Sequence, residues 1–222
     1  KEKKLREYDL SAPVPRVFAA RKHFYKEFLD EVRKTMASLG YCEETGPLVE
    51  TEFWNFDAWY QAQNHPAREV HDVYYLKGLG PGTLPDKKIV DAVRKAHENG
   101  GKTGSTGWGY KWDEKTASRY VLRSQTTAAT VRSLMTTTAP KVFCLGKNFR
   151  PDVVDAKHLP EFYQLDCRVA GENLNLKHLL GFLKECAEKI AGIRELKFRP
   201  SYFPFTEPSV EVLGKHPKHG WI

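Results

Sequence analysis

Between Glu161 and Ala170 the side chains alternate in a way that asks for a chemical explanation. Tyr163, Leu165, Cys167 and Val169 fall on one side of an extended chain, and Phe162, Gln164, Asp166 and Arg168 fall on the other. The first set suits a core. The second lines up a ring, an amide, a carboxylate and a guanidinium, polar groups that an inert strand does not need. Two further patterns have the outline of a site without its context. Ala96, Gly101, Lys102 and Thr103 match an alanine-first phosphate loop. Such a loop needs a strand before it and a helix after it, so that backbone N–H groups and the helix N-terminus meet the phosphates. Here a helical pattern precedes and Gly104-Ser105-Thr106-Gly107 follows, so the match is set aside. His216 and His219 lie three apart with no cysteine pair near them, which suits a turn rather than a metal site. Cys42, Cys144, Cys167 and Cys186 include no pair at CxxC spacing, so neither a zinc ribbon nor a dithiol motif is visible.

The elements that must position these groups follow from periodicity. Phe24, Phe28, Val32, Met36 and Leu39 recur at helical spacing, predicting a helix from about His23 to Leu39 that stops at Gly40. Gly46-Pro47 breaks the chain, and Leu48 to Phe53 reads as a strand. The aromatic stretch from Trp54 to Leu76 has no clear period, and its run Phe53 to Phe56 reads as packing or interface. Asp86 is placed to cap a helix bearing Ile89, Val93 and Ala96, ended by Gly100-Gly101. Ser124 or Thr126 is placed to cap a short helix reaching Met135. Lys141 to Phe149 reads as a strand, joined by a polar loop over 151–160 to the alternating strand. Leu176, Leu179, Leu180, Leu183, Ala187 and Ile190 mark an amphipathic helix closed by Gly192. Short strands are expected around Leu196–Phe198 and Val210–Val212. Hairpin-like strands with interspersed helices predict an α+β fold, an antiparallel sheet flanked by helices, rather than a doubly wound one.

The bulk composition sets the limits. The chain has 222 residues, 41% hydrophobic and 28% charged, as expected of a soluble domain with a substantial core. Residues 1–20 mix charge with Ser11-Ala12-Pro13-Val14-Pro15 and read as a linker, leaving 21–222 as the domain. No apolar stretch approaches a membrane span, and none follows Lys1-Glu2-Lys3-Lys4 to act as a signal peptide. Four thiols in a chain this size fit a reducing compartment, so a cytoplasmic protein is expected. The net charge of +7 suits a polyanionic partner.

Five ordered segments are specific enough to be familiar. They are Val49 to Ala58 (VETEFWNFDA), His65 to Glu69 (HPARE), Phe149-Arg150, Asp155 to Phe162 (DAKHLPEF), and Tyr202 to Glu211 (YFPFTEPSVE). Together, over about Arg6 to Ile222, they resemble the phenylalanyl-tRNA synthetase α subunit of archaea and the eukaryotic cytosol. The resemblance implies the class II synthetase fold. It also implies a reaction that joins phenylalanine to ATP, releases pyrophosphate, and passes the aminoacyl group to tRNA(Phe). The implied cofactors are ATP and Mg2+, and the implied partner is a β subunit in an α2β2 assembly. Arg150 stands at the motif 2 arginine, where a guanidinium bridges phosphate oxygens and never loses its charge. By the same resemblance His158 and Asp152 lie in the ATP-binding loop and Phe162 stacks on adenine. Gln164 and Asp166 bind the substrate amino group, and Gln125 and Thr127 line the pocket. Phe203 and Phe205, flanking Pro204, face the benzyl ring. Pro47 stands at the motif 1 proline.

The chain departs from the family where substrate is expected. The usual Thr-His-Thr reads Ser124-Gln125-Thr126, Arg-Asn-Glu reads Arg150-Pro151-Asp152, Phe-His-Gln reads Phe162-Tyr163-Gln164, and Glu-Gly reads Asp166-Cys167. Each Glu→Asp change keeps the charge and shortens the reach by one methylene. The family's N-terminal tRNA-binding region and its motif 3 are not seen within the 222 residues, so an incomplete catalytic domain is expected. A non-catalytic paralogue that binds RNA or protein is the alternative reading.

Overall fold

The computed structural model describes residues 9, 11, 13, 16, 19–69, 71–155 and 158–222. Most of the expected linker, and Ala156 and Lys157 of the 155–162 segment, lie outside the described residues. In chain order the α-helices are α1 (Phe24–Ser38), α2 (Glu52–Asn55), α3 (Lys87–Asn99), α4 (Glu114–Ala117), α5 (Thr127–Thr136) and α6 (Leu176–Ala191). The strands are β1 (Cys42–Glu43), β2 (Val49–Thr51), β3 (Tyr120–Leu122), β4 (Lys141–Phe149), β5 (Glu161–Val169), β6 (Leu196–Phe203), β7 (Thr206–His216) and β8 (Gly220–Trp221).

The centre is the antiparallel ladder of β4 and β5, paired from Lys141↔Val169 to Phe149↔Glu161 without a slip. β1 adds a short parallel pairing to β4 on its other edge, a feature the antiparallel expectation did not include. One face of the ladder carries Phe143, Leu145, Tyr163, Leu165 and Cys167. These pack with Leu29, Val32, Met36 and Tyr41, and with Phe182, Cys186 and Ile190 of α6. That is the apolar face read from the alternation. The opposite face is covered in part by α5, beneath which Val142 and Cys144 are buried.

Helix α1 begins within a residue of the expected start, with His23 as its cap, but its inward stripe is Leu29, Val32 and Met36, while Phe24 and Phe28 stay exposed. Val32 and Met36 hold their expected places, but in the first two turns Tyr25 and Leu29 replace Phe24 and Phe28 on the row that meets the sheet; Tyr25 meets Tyr163 edge-on. Asp86 caps α3 through Lys88 N, and Asn175 caps α6 through Lys177 N, with Gly100 and Gly192 in the left-handed region at the far ends. Neither half of the phosphate-loop context is present: α3 runs through Asn99, and the chain turns loosely until α4. His97, inside that motif, is fully buried between the Asp57 carbonyl and the Tyr110 hydroxyl.

Two expectations change. The strand from Leu48 ends at Thr51, because Glu52 begins α2 and turns its carboxylate inward to Arg68 and Arg119. The strands near 196 and 210 are instead one long hairpin, β6–β7, with Pro204 and Phe205 as its turn. Among the described residues no helix is long and apolar enough to cross a membrane.

Candidate functional site

The open end of the polar sheet face carries the site. At its closed end Arg168 donates to Ser133 Oγ (2.8 Å) and the Ala139 carbonyl (3.2 Å), tying the strand to α5. Asp166 comes next and meets the first turn of α5, accepting from the hydroxyls of Thr130 and Thr127. Burial raises its pKa, and the two hydroxyls offset part of that. Gln164 follows. Its Oε1 accepts from Asn148 Nδ2 (2.7 Å) and from Thr126 N (3.3 Å). Phe162 is last, and over its ring lies Arg150, the guanidinium carbon 5.1 Å from the centroid. Arg150 Nε donates to the Ser124 carbonyl (3.1 Å), and the outer guanidinium nitrogens make no hydrogen bond among the described residues. A fixed cation whose two outer nitrogens make no hydrogen bond among the described residues thus stands over the ring at the strand end, with the amide and the carboxylate further along the same strand face.

What holds the segment 124–127 in place was not foreseen. Asn55, fully buried in α2, donates to Ser124 Oγ (2.9 Å) and accepts from Ser124 N (3.2 Å). Its carbonyl accepts from Gln125 Nε2 (3.0 Å) and Trp59 Nε1 (2.7 Å). Ser124 is therefore engaged with Asn55 and does not cap α5. Thr126 occupies the cap position without a side-chain cap bond, and its buried hydroxyl oxygen has no partner among the described residues. Behind the segment, Arg123 donates to the Lys147 carbonyl and Asn148 Oδ1, and across to the Gly46 carbonyl. Gly146 makes room for it: a Cβ there would stand 2.3 Å from Arg123 Nη2.

The aromatic pair reaches the same scaffold from the hairpin turn. Phe205 meets Trp59 edge-on at 4.4 Å and lies 6.4 Å from His65, while Phe203 stacks on Phe205 at 6.4 Å and is half exposed. Trp59 and Gln125 share the Asn55 carbonyl, so Asn55 links the polar group to the aromatic one. Two of the ten expected residues stay apart. His158 is exposed and closed on Asp155 (2.9 Å), and Asp152 is half-buried in the same loop, with no contact to Arg150 or Phe162 seen among the described residues. Hollows of about 910 Å3, beside Arg68 and Arg119, and about 640 Å3, under α6, lie elsewhere and are lined by none of the ten.

Two of the familiar sequence segments prove to be one staple. Arg68, from His65–Glu69, is buried between Glu52 (3.2 Å) and Asp57 (2.6 Å), both from Val49–Ala58, and also donates to the Gln61 carbonyl. Burial lifts the Asp57 carboxyl to about 6 against the opposing pull of Arg68. Glu50, paired with Arg132, is likewise lifted by burial to about 7.

The fold around this ladder is similar to that of solved tRNA synthetases. Crystal structures of the pyrrolysyl-tRNA synthetase from Desulfitobacterium hafniense superpose with TM-scores of 0.54 and 0.53 at 18% identity, covering 85% of this chain and 55% or 54% of theirs. The chain belongs to the family described as tRNA synthetases class II core domain (F), matched over residues 7–222. Its curated relatives include phenylalanine–tRNA ligase α subunits from Thermococcus kodakarensis (47% identical, covering 100% of this chain and 45% of the relative) and Pyrobaculum aerophilum (50%, 98% and 43%). The one from Methanopyrus kandleri is 46% identical, covering 95% and 40%. The chain thus spans less than half the length of the relatives it matches.

Proposed function

We propose that the chain is the catalytic part of a phenylalanine–tRNA ligase α subunit, working in the cytoplasm with a β subunit in an α2β2 assembly. In this reading 21–222 form one catalytic domain entered by a linker over 1–20. The observation that carries it is identity of 46–50% along nearly the whole chain to proteins so named. The substrates are phenylalanine, ATP and tRNA(Phe). The phenylalanine carboxylate attacks the α-phosphorus, pyrophosphate leaves, and the resulting adenylate passes its acyl group to tRNA.

Arg150 supplies fixed positive charge to the phosphate oxygens as negative charge builds there. Ser124, held by Asn55, sets its direction. Phe162 takes adenine, and Asp152 and His158 approach the phosphates from the loop. Gln164, Asp166 and Thr127 hold the polar end of the amino acid, Gln125 closes the pocket, and Phe203 and Phe205 face the benzyl ring. Among the described residues no group of three or more His, Cys, Asp or Glu side chains forms a metal cage. Mg2+ arriving with ATP would supply further positive charge to the phosphates beside Arg150.

The test is phenylalanine-dependent exchange of pyrophosphate into ATP by full-length α with β. Exchange with phenylalanine supports the reading. Exchange only with another amino acid overturns the specificity, and none with any amino acid favours the non-catalytic paralogue.

A further inference from the structure

We propose that Asn148 is a positioning residue that sets the polarity of the Gln164 amide, so that Gln164 meets its ligand as a hydrogen-bond donor through Nε2. This rests on the reading of Gln164 as a substrate-binding residue and deepens it.

Three buried or half-buried side chains form a hydrogen-bonded chain. Arg123, 2% exposed, has only donors to offer. Its Nε lies 3.2 Å from one terminal atom of the fully buried Asn148 side chain, so that atom must be the carbonyl oxygen. The Asn148 NH2 is thereby turned to the other side, where it lies 2.7 Å from a terminal atom of Gln164. That atom must accept, so it is Oε1. The backbone N–H of Thr126, also a donor only, lies 3.3 Å from the same oxygen. Both lone pairs of Oε1 are then engaged. Turning the Gln164 amide over would lose both bonds and set donor against donor. The ladder register supports the contact: Asn148 pairs with Phe162, so Gln164 is its diagonal neighbour on the same face.

The group left to the site is Nε2, with no hydrogen bond among the described residues, and it is not one of the buried orphans. An NH2 cannot accept from an ammonium group. It can donate to an anionic oxygen, a carboxylate or a phosphate. The acceptor for a substrate ammonium is then Asp166, on the next inward position of β5. The two residues divide the amino acid between them, Gln164 taking an anionic oxygen and Asp166 the cation.

Calorimetry on the full-length α–β complex tests this with two half-ligands. 3-Phenylpropionate keeps the carboxylate and lacks the amine; 2-phenylethylamine keeps the amine and lacks the carboxylate. Asn148→Asp replaces the NH2 facing Gln164 by an acceptor and turns the amide over. It should weaken 3-phenylpropionate by about tenfold, leaving 2-phenylethylamine unchanged or tighter. Gln164→Glu, which leaves position 148 intact, should do the same and covers the case in which Asn148→Asp fails to fold. Weakening confined to ATP binding would also support the donor polarity and assign the oxygen to phosphate. Selective loss of 2-phenylethylamine would overturn the proposal, and so would equal weakening of both ligands, the mark of a merely structural role. Because binding is read directly, these outcomes are separate from the exchange assay: a wild-type complex that binds both half-ligands without exchange sinks the activity, not the polarity.

Discussion

In the proposed reaction Arg150 acts through its two outer nitrogens, which make no hydrogen bond among the described residues, while Nε holds position on the Ser124 carbonyl. Arg150→Ala should lower phenylalanine-dependent exchange by about 10²–10³-fold, the usual loss when a transition-state donor is removed. Little of this should appear in the melting temperature, since the lost bond is a single one to Ser124. Arg150→Lys should recover only part, because a point charge cannot bridge two oxygens. Glu50 is a residue-scale prediction of another kind. Its carboxyl is lifted from an ordinary 4.5 to about 7, burial being the main cause, with Arg132 and Arg123 opposing it. Its buried Oε1 has no partner among the described residues, which suits a protonated group. Across that window the unfolded chain has already lost the proton that the folded chain keeps, so this group's contribution to stability falls as pH rises from about 4.5 to about 7. Chemical denaturation at several pH values should show a flatter decline for Glu50→Gln than for the wild type. An unchanged slope would mean that Glu50 is ionised throughout.

At the scale of elements, the segment between β3 and α5 is held from both sides, by Asn55 in front and Arg123 behind. Gly146→Ala would push a methyl group into the Arg123 guanidinium, 2.3 Å away. The expected cost is about 1–3 kcal/mol, as for other overpacked sites, read as a shifted urea midpoint. Asn55→Ala leaves Ser124 and Trp59 on looser footing and should raise the KM for phenylalanine as well as lower stability. These supports also mark where the sequence was legible. The long periodic stretches of α3, α6, β4 and β5 are legible, with both ends of α3 and the Gly192 end of α6, because nine or more residues repeat one face. β1, β3, α2 and α4 are two to four residues long and show no period at all. In α1 the large exposed rings of Phe24 and Phe28 disguised the true stripe. The β6–β7 hairpin was read too short because Pro200, Pro204 and Pro208 discourage a strand. Pro200 is tolerated because, among the described residues, β6 pairs with β7 alone and its other edge is free.

Across the whole molecule, the buried Arg68 joins stretches of sequence that look independent. Arg68→Ala leaves the fully buried Asp57 carboxylate without its arginine and the buried Glu52 with Arg119 alone. A loss of about 3–5 kcal/mol is expected, as for other broken buried pairs, measured by equilibrium denaturation. Arg68→Met together with neutral replacements at 52 and 57 should recover much of it. Eight of the ten candidate residues lie on the connected scaffold: Phe162, Gln164 and Asp166 on β5, Arg150 just past the end of β4, Gln125 and Thr127 at the approach to and start of α5, and Phe203 and Phe205 at the hairpin turn. His158 and Asp152 lie in the 151–160 loop, whose path no repeating pattern specifies. Asn55 and Asn148 went unnoticed since a lone asparagine carries no signal in sequence; only its neighbours reveal its role.

Core and site share the unbroken pairing of β4 with β5, odd positions of β5 serving one and even positions the other. Adding or removing one residue within β5 would exchange those duties for every position beyond it, sending Leu165 toward substrate and Asp166 into oil. The loop over 151–160 has no such parity to keep. Length changes among related chains should therefore collect there, while the strand itself keeps its count.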